Sequence, residues 1–215
     1  ANVTANITAK TLTATASASN KVYDGNDTAT TTLTLSGLIG SETLDTTNHS
    51  STFNNKNVGT GKSVTVNSIT LANGSNDGLA ANYSISPGQT TTANITAKAL
   101  TVSGITASNK TYDGNTTATL NTGSVTYNGL IAGDVFDGIY TGTFSDKNVE
   151  TGKIVTINTI YNGIDVGNYS VTNQSTATGN IVPKTLTATA SASNKVYNGD
   201  NLSLIHISEP TRRSY

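Results

Sequence analysis

Three short copies of one stretch carry oxygen-bearing side chains that could bind a cation. Asp24-Gly25-Asn26-Asp27 offers the hard oxygen atoms that Ca²⁺ prefers, and Asp113 stands in a second copy. The second copy has Thr116 in place of Asp27, and the third has Asn198 in place of the first aspartate. Asp-Gly and Asn-Gly both favour tight turns with positive φ. We therefore expect a structural turn, with a calcium site at Asp24, Asp27 and Asp113 as the alternative.

Two pairs of carboxylates have residue types that could perform acid–base chemistry. Glu42 and Asp45 correspond to Asp134 and Asp137 in the next copy. Both pairs lie in Gly-rich polar segments without an accompanying base or metal ligand, so the sequence predicts solvated loops and no catalytic residue. His49 has no counterpart in the second copy and is predicted to be exposed in a loop.

Rows of alternating threonine form a different kind of candidate site. Thr11-Thr13-Thr15 and Thr30-Thr32-Thr34 could each present hydroxyl groups on one face of a strand and bind sugars or ice. Threonine is also a common exposed strand residue, because branching at Cβ fits an extended backbone. Ligand binding and a plain strand surface both remain open at this point.

The composition narrows the class of protein. Hydrophobic residues make up 34% and charged residues 12%, and the net charge is −1. Without a basic surface, nucleic acid is not expected as a partner. No stretch approaches the length of a membrane span, and the absence of cysteine excludes disulfides and thiolate metal sites. No cofactor is expected.

The chain is built from long internal repeats. TANITAKTLTATASASNKVYDGN at residue 4 is answered by TANITAKALTVSGITASNKTYDGN at residue 92, and IVPKTLTATASASNKVYNGDN follows at residue 181. Lys10, Lys98 and Lys184 are equivalent, which gives a period of about 86–88 residues. FNNKNVGTGKSVTV at residue 53 likewise matches FSDKNVETGKIVTI at residue 144.

Three motifs recur in the repeats, namely a Tyr-Asp-Gly turn, an F-x-x-K-N-V-x-T-G-K segment and an Asn-Tyr pair. We expect their residues to have structural roles. They are Tyr23, Asp24, Gly25, Phe53, Lys56, Asn57, Val58, Gly61, Lys62, Asn82 and Tyr83 in the first repeat, and Tyr112, Asp113, Gly114, Phe144, Lys147, Asn148, Val149, Gly152, Lys153, Asn168 and Tyr169 in the second.

The repeats predict the organisation of the chain. Residues 1–7 end a preceding repeat, 8–95 and 96–181 are complete repeats, and 182–201 begin a third. The segment 202–215 matches no repeat, and LSLIHISEPTR within it resembles the conceptual translation of a sequencing-library adapter. We therefore expect residues 202–215 to be an artefact that takes no part in function.

Alternation of apolar residues predicts the strands. Val64 and Val66 alternate, as do Val155 and Ile157, and each pair is followed by an isoleucine after a shift of one residue that indicates a β-bulge. One short helical turn is predicted at 41–45 and at 133–137. The fold class is therefore all-β, with tandem modules of the immunoglobulin-like sandwich or β-grasp-like type arranged in series and elongated. Large apolar residues are so few that contacts between neighbouring modules should matter.

The linked motifs over residues 1–201 resemble the YDG repeats of large bacterial adhesins, including filamentous-haemagglutinin-like exoproteins. Asn198 and Glu150 are the departures from the pattern. The resemblance implies tandem all-β modules that are secreted or anchored at the bacterial cell surface, exported through an outer-membrane transporter, and without enzymatic activity. It implies a stalk or spacer that projects a distal binding domain, with neighbouring repeats of the same chain as partners. The alternative is that the repeats themselves bind host or environmental glycans weakly and multivalently.

Overall fold

The computed structural model describes residues 3–192, together with 194, 196, 197, 199, 205 and 206. The described residues contain no α-helix, and the all-β prediction is confirmed. The expectations for Asn198 and for nearly all of 202–215 lie outside the described residues. Only the backbone of β20 (Ile205–His206) is described there, and it pairs antiparallel with β19 (Ser191–Ala192).

The first repeat contains eight strands and one 3₁₀ helix, Ala80–Asn82. Its main sheet has four strands in the order β3-β8-β6-β5, with β3 parallel to β8 and the other pairs antiparallel. The strands β2 and β4 form an antiparallel pair, and β1 pairs parallel with β7. The strands are β1 (Lys10–Thr11), β2 (Thr13–Ala18), β3 (Lys21–Val22), β4 (Thr31–Ser36), β5 (Leu44–Phe53), β6 (Gly59–Asn73), β7 (Tyr83–Ser84) and β8 (Thr90–Thr96).

The strands of the second repeat begin at Lys98 and follow a similar plan. Its five-stranded sheet has the order β11-β18-β16-β15-β12, beside a three-stranded sheet β14-β9-β17 and the pair β10-β13. A 3₁₀ helix again ends at the asparagine of the Asn-Tyr pair, at Val166–Asn168. The strands are β9 (Lys98–Ser103), β10 (Thr106–Ala107), β11 (Lys110–Thr111), β12 (Thr117–Ala118), β13 (Leu120–Asn121), β14 (Thr126–Asn128), β15 (Asp137–Phe144), β16 (Glu150–Asn162), β17 (Tyr169–Thr172) and β18 (Thr176–Val182).

Alternation along the strands positions the core as predicted. Val64 and Val66 of β6, and Val155 and Ile157 of β16, are buried, whereas the residues between them face outward or are half-buried. Because successive side chains of a strand point to opposite faces, every second residue enters the core. The largest buried cluster includes Tyr23 and residues of both repeats, so one apolar core runs across the junction.

The predicted β-bulge is present in the first repeat but wrong for the second, and the predicted helical turns are wrong. The predicted bulge occurs in β6, where Asn67 is the extra residue between the pairs Ser50–Ser68 and Ser51–Val66. In β16 the register with β15 is unbroken, so Ile160 turns outward and is exposed. The segments 41–45 and 133–137 form no helical turn, and the short helices instead end at the asparagines of the two Asn-Tyr pairs.

Candidate functional site: the contact between the repeats

The Tyr-Asp-Gly turn of the first repeat encloses a lysine. Lys21 Nζ donates to Asp24 Oδ1 at 2.7 Å, to the carbonyl and Oδ1 of Asn26 at 2.9 and 3.1 Å, and to the Thr28 carbonyl at 3.0 Å. The same ammonium lies over the Phe53 ring, 5.7 Å from its centroid. The oxygen atoms that resemble a cation site are therefore occupied by an internal ammonium group.

The second repeat builds the same cage around Lys110. Its Nζ is 2.7 Å from Asp113 Oδ1, donates to Asn115 Oδ1 at 2.9 Å, and lies 5.9 Å from the centroid of Phe144. The hydrogen bond from Lys110 lowers the pKa of Asp113. Gly114, like its counterpart in the first repeat, has a φ of +84°, which the turn requires. Both turns are thus held by a lysine three residues before the aspartate.

The third candidate metal ligand, Asp27, is exposed, and its backbone carbonyl accepts a hydrogen bond from the Phe53 amide at 2.7 Å. Across the part of the chain that the structure describes, no group of three or more His, Asp or Glu side chains could hold a metal ion. The turn motif therefore acts here through its shape and its bound lysine.

The F-x-x-K-N-V-x-T-G-K segment connects β5 to β6 in the first repeat and β15 to β16 in the second, and its second lysine binds residues of the connection. Lys153 Nζ is buried and pairs with Asp146 at 2.6 Å and with Glu150 at 3.0 Å. In the first repeat Lys62 donates to Asn55 Oδ1 at 2.6 Å instead. The glycines of this segment, Gly61 in β6 and Gly152 in β16, have positive φ. Each donates a hydrogen bond from its amide to an asparagine Oδ1 at 2.7 Å, on Asn94 and Asn180 respectively.

The first lysine of the same segment reaches out of its own repeat. Lys56 Nζ lies 2.9 Å from Asp134 Oδ1 and 3.1 Å from Asp165 Oδ1, both in the second repeat. The Asp134 side chain is only 3% exposed and the Lys56 side chain 37%. Asp165 Oδ2 also accepts the Val135 amide at 2.9 Å. One ammonium group therefore links two buried carboxylates across the junction.

Two tyrosine hydroxyls complete the coordination of Asp134. Tyr23 of the first repeat donates to Asp134 Oδ2 at 2.8 Å, and Tyr169 of the second donates to the same oxygen at 2.6 Å. The two rings meet edge to face with their centroids 5.6 Å apart. Buried aromatic pairs of this geometry stabilise beyond the area they bury. The Tyr-Asp-Gly turn of one repeat thus contacts the Asn-Tyr pair of the next.

A second set of contacts fixes the register of the junction. The Val58 amide donates to Asn168 Oδ1 at 2.9 Å, and Asn168 Nδ2 donates to Asn57 Oδ1 at 3.3 Å. A Cβ on Gly25 would lie 2.8 Å from Ile131 Cγ2, so the turn approaches the second repeat more closely than a side chain allows. All three motifs therefore contribute to one continuous surface of contact, which we call the joined face.

The electrostatics of the joined face follow from these contacts. Burial opposes ionisation of Asp134, but hydrogen bonds from Tyr169, Lys56 and Tyr23 outweigh it and lower its pKa. Hydrogen bonding, above all to Asp134, raises the pKa of Lys56. Burial, followed by the hydrogen bond to Asp134, raises the pKa of Tyr169 to about 12. At neutral pH Asp134 and Lys56 are therefore charged and Tyr169 is protonated, so every hydrogen bond between them can form.

The prediction of a solvated loop is wrong for Asp134, because this carboxylate is the buried centre of the network. Asp165 was missed altogether. The sequence offered no usable signal, since both repeats carry acidic residues in the two corresponding loops and a lysine in the K-N-V segment. His49 is also not in a loop: it lies in β5, half-buried, with Nδ1 2.5 Å from the Thr46 carbonyl and Nε2 3.0 Å from the Thr31 carbonyl.

The corresponding surface of the second repeat, which we call the free face, carries the same motif residues, and residues 183–190, which begin the third repeat, form no strand against them. Tyr112 is half-buried and Asn148 is exposed, and they line an open groove of about 460 Å³ with Val149 and Leu186. Lys147 is exposed and forms no ion pair with the described residues. Leu186 is 84% exposed, whereas its counterpart Leu100 is 1% exposed.

At the other end of the first repeat, Tyr83 and Glu42 have the same arrangement as Tyr169 and Asp134, which receive Tyr23 and Lys56 at the joined face. The Tyr83 hydroxyl donates to the Glu42 carboxylate and accepts the Ile39 amide at 3.1 Å, as Tyr169 does with Asp134 and the Ile131 amide. Asn82, the counterpart of Asn168, is exposed. We call this surface the acceptor face.

Comparison with known families finds one family model that matches the chain twice. The YDG domain model matches residues 8–93 and 96–178. No curated protein and no solved structure gives a significant match. Within the described residues no helix is long and apolar enough to cross a bilayer. Since the two matches cover most of the chain, this protein belongs to the YDG domain family.

Proposed function

We propose that these repeats are structural spacers in a secreted or surface-anchored bacterial adhesin, where they hold a distal binding domain away from the cell. The proposal includes export through an outer-membrane transporter and neighbouring repeats as the main partners. It rests on the membership of the YDG domain family and on the joined face.

The observation that carries the proposal is the use of the repeat motifs as joints. Tyr23 and Lys56 belong to motifs that occur in every complete repeat, and both bind Asp134 of the next repeat. The Asp134 carboxylate accepts hydrogen bonds from the Lys56 ammonium and from two tyrosine hydroxyls, so its oxygen atoms are engaged in the contact between the repeats. Residues repeated along the chain thus bind repeat to repeat, which is what a spacer requires.

A spacer also needs short connections between its modules. β8 ends at Thr96 and β9 begins at Lys98, so one residue separates the strands of the two repeats. Because Lys56 pairs with the buried Asp134 carboxylate and an apolar core is shared by the two repeats, bending at the junction breaks specific contacts. We propose that the joined face stiffens the array in this way.

Small-angle scattering from the full chain tests this function. Strands of about ten residues give each repeat a length of about 30–40 Å, so two repeats in series should reach about 60–80 Å. A compact particle of this chain length would have a radius of gyration of about 17 Å. We expect the radius of gyration to exceed this value. For Lys56→Glu we expect the scattering to indicate a broader distribution of interrepeat distances, because the junction loses its ion pair. A radius near 17 Å for the unmodified chain would contradict the spacer function.

A second candidate function rests on the surface formed by β2 and β4. Thr13, Thr15, Thr32 and Thr34 are all exposed, and the register places Thr15 directly opposite Thr34. This two-strand array of hydroxyls could bind glycans weakly, with avidity from repetition. A glycan array separates the two functions: binding that is lost when these four threonines become alanine would establish a binding module.

The control for that experiment replaces three exposed threonines of the five-stranded sheet in the second repeat by alanine. They are Thr141 and Thr143 of β15 and Thr156 of β16. Binding that survives in the control but not in the β2–β4 variant supports glycan recognition by this surface. Absence of binding by the unmodified chain, or equal loss in both variants, overturns it.

A further inference from the structure

The first and the last segment of the second repeat run side by side in the same direction. Lys98 in β9 lies opposite Tyr169 in β17, and Thr111 in β11 lies opposite Val182 in β18, with an offset of 71 residues in both cases. The first parallel pairing belongs to the three-stranded sheet and the second to the five-stranded sheet. We call residues 98–111 and 169–182 the aligned segments. At about 3.3 Å per residue, each aligned segment covers about 45 Å.

This alignment determines how tension along the chain acts on the repeat. The chain enters the aligned segments at Lys98 and leaves them at Val182, which lie at opposite ends of the alignment. Tension therefore pulls the two segments past each other, and the hydrogen bonds between them are loaded together. A hairpin that is pulled apart at its open end instead loses its hydrogen bonds one after another. The alignment should resist tension longer, because several hydrogen bonds must break at once.

One side chain links the aligned segments where they pass from one sheet to the other. Gln174, between β17 and β18, accepts a hydrogen bond from the Ile105 amide at 3.0 Å and donates one to the Ile105 carbonyl at 2.6 Å. Closer to the end of the alignment, the Asn180 amide donates to Asn109 Oδ1 at 2.8 Å. These side-chain contacts fill the gap between the two parallel ladders, so the segments are linked along their length.

The first repeat has the same alignment with fewer hydrogen bonds at its first strand. β1 pairs with β7 over two residues, whereas β9 pairs with β17 over four. Gly88 stands at the position of Gln174, so there is no side chain to bridge the segments there. Gln89 donates to the Ser86 carbonyl of its own segment instead. The last strands, β8 and β18, are paired alike in the two repeats.

We propose that each repeat is a mechanical clamp, in which the parallel alignment of its first and last segments resists tension along the chain, and that Gln174 strengthens the clamp of the second repeat. The clamp depends on contacts inside one repeat. Its use in the cell rests on the proposed spacer function, because a spacer between a cell and a bound surface is under tension. Small-angle scattering tests the spacer and tension on single molecules tests the clamp, so either proposal can fail without the other.

Constant-force measurements on single molecules of the full chain test the clamp. The chain contains no cysteine, so Ile7→Cys together with Pro183→Cys provides two exposed attachment points outside the strands. We expect two unfolding steps of about 250 Å, from about 86 residues at about 3.5 Å each less the folded length. The step of the first repeat should occur at the higher rate, because its first strand is held by fewer hydrogen bonds.

Gln174→Ala tests the bridge between the aligned segments. It should raise the rate of the slower step by about tenfold, because two hydrogen bonds to Ile105 are lost. The matched control is Gln89→Ala, which removes a glutamine side chain that bonds only within its own segment. We expect this control to leave both rates unchanged.

A second pulling direction separates the clamp from overall stability. Ile139→Cys together with Ile160→Cys places the attachment points on exposed, directly opposite residues of β15 and β16. Tension then peels an antiparallel hairpin, and we expect unfolding at least about tenfold faster at the same force. Gln174→Ala should have no effect on the rate in this direction, because peeling the hairpin does not load the aligned segments.

Three results would overturn the proposal. The first is an unfolding rate at a given force that is the same for the two pulling directions. The second is a Gln174→Ala chain that unfolds no faster than the unmodified chain, or no faster than Gln89→Ala, when pulled from its ends. The third is an equal effect of Gln174→Ala in both directions, which would assign this side chain to general stability.

Discussion

Tyr23 and Tyr112 occupy the same position in the repeat motif, yet their surroundings differ. Tyr23 is 1% exposed and donates to Asp134 of the second repeat, whereas Tyr112 is only half-buried and lines an open groove. The local turns are alike, with a caged lysine and a glycine at φ +84° in both. The motif therefore determines the conformation of the turn. Whether the tyrosine of the turn is buried depends on the contact with the neighbouring repeat.

The comparison also explains how repeats with so few large apolar residues are stable. The main apolar cluster combines Phe53 and Val64 of the first repeat with Phe136 and Tyr169 of the second. Neither repeat encloses this cluster by itself. Stability of such arrays comes from neighbour contacts as well as from each module, so the joined face should contribute more than any surface at a free end.

The largest difference is expected from removing the tyrosine at each face. Tyr23→Ala should lower the free energy of unfolding by about 3–5 kcal/mol, because it empties a fully buried site and leaves Asp134 with one donor fewer. Tyr112→Ala should lower it by about 1 kcal/mol or less, because the ring is already partly in solvent. Urea unfolding followed by circular dichroism measures both. Equal losses would show that the two faces do not differ in burial.

A smaller difference is expected from the carboxylates that bind the tyrosine hydroxyls. Asp134→Ala should lower the free energy of unfolding by about 2–3 kcal/mol, because two tyrosine hydroxyls and Lys56 lose a charged acceptor. Glu42→Ala removes the acceptor of Tyr83 only and should lower it by about 1 kcal/mol. The same unfolding experiment applies. If Glu42→Ala lowered the free energy of unfolding more than Asp134→Ala, the carboxylate at the acceptor face would contribute more to stability than the one at the joined face, contrary to this prediction.

The joined face should also confer a pH dependence. Because the pKa of Asp134 is lowered, its stabilisation is present above the ordinary aspartate pKa of about 3.9 and is lost as pH falls through the lowered value. Because the pKa of Tyr169 is raised to about 12, its contribution is present below about 10 and is lost as pH rises towards 12.

Unfolding free energies measured between pH 2 and 7 check the acid side, with Asp134→Asn as the matched variant. The variant should lose less stability between pH 5 and pH 2 than the unmodified chain, since its amide does not titrate. An identical acid dependence in the two proteins would mean that the Asp134 carboxylate does not stabilise the fold.

The smallest difference is expected from the two turn glycines. Gly25→Ala and Gly114→Ala both place alanine at positive φ, which costs about 1 kcal/mol. Only at Gly25 would the new Cβ also meet Ile131 of the neighbouring repeat, whereas nothing lies within 4 Å at Gly114. Gly25→Ala should therefore destabilise by about 1 kcal/mol more. Indistinguishable unfolding midpoints for the two variants would contradict the close approach at the joined face.

Much of the fold could be predicted from the sequence, because strands and turns are specified locally. Alternation identified the buried faces of β6 and β16, and Asp-Gly identified the turns. The bulge expected before Ile160 failed, because β16 has no extra residue there and keeps an unbroken register with β15. Alternation cannot detect such a difference, since it depends on the partner strand.

The joined face could be predicted only in outline. The expectation that contacts between modules matter follows from the small number of apolar residues. That Asp134 lies beside Lys56 depends on how one repeat sits on the next, 78 residues away in sequence, and polar loop residues carry no pattern that encodes it. The hydrogen bond from Tyr23 to Asp134 could not be predicted for the same reason, because the Tyr-Asp-Gly motif does not indicate which residue of the next repeat lies beside it.

The most direct test of the account is a double-mutant cycle between Lys56→Met and Asp134→Asn, measured by urea unfolding of the full chain. The ion pair predicts a coupling energy of about 1–3 kcal/mol between the two sites. The control cycle, Lys147→Met with Glu42→Gln, should give a coupling near zero. If the Lys56–Asp134 cycle also gives a coupling below about 0.5 kcal/mol, the two repeats are not joined through this contact.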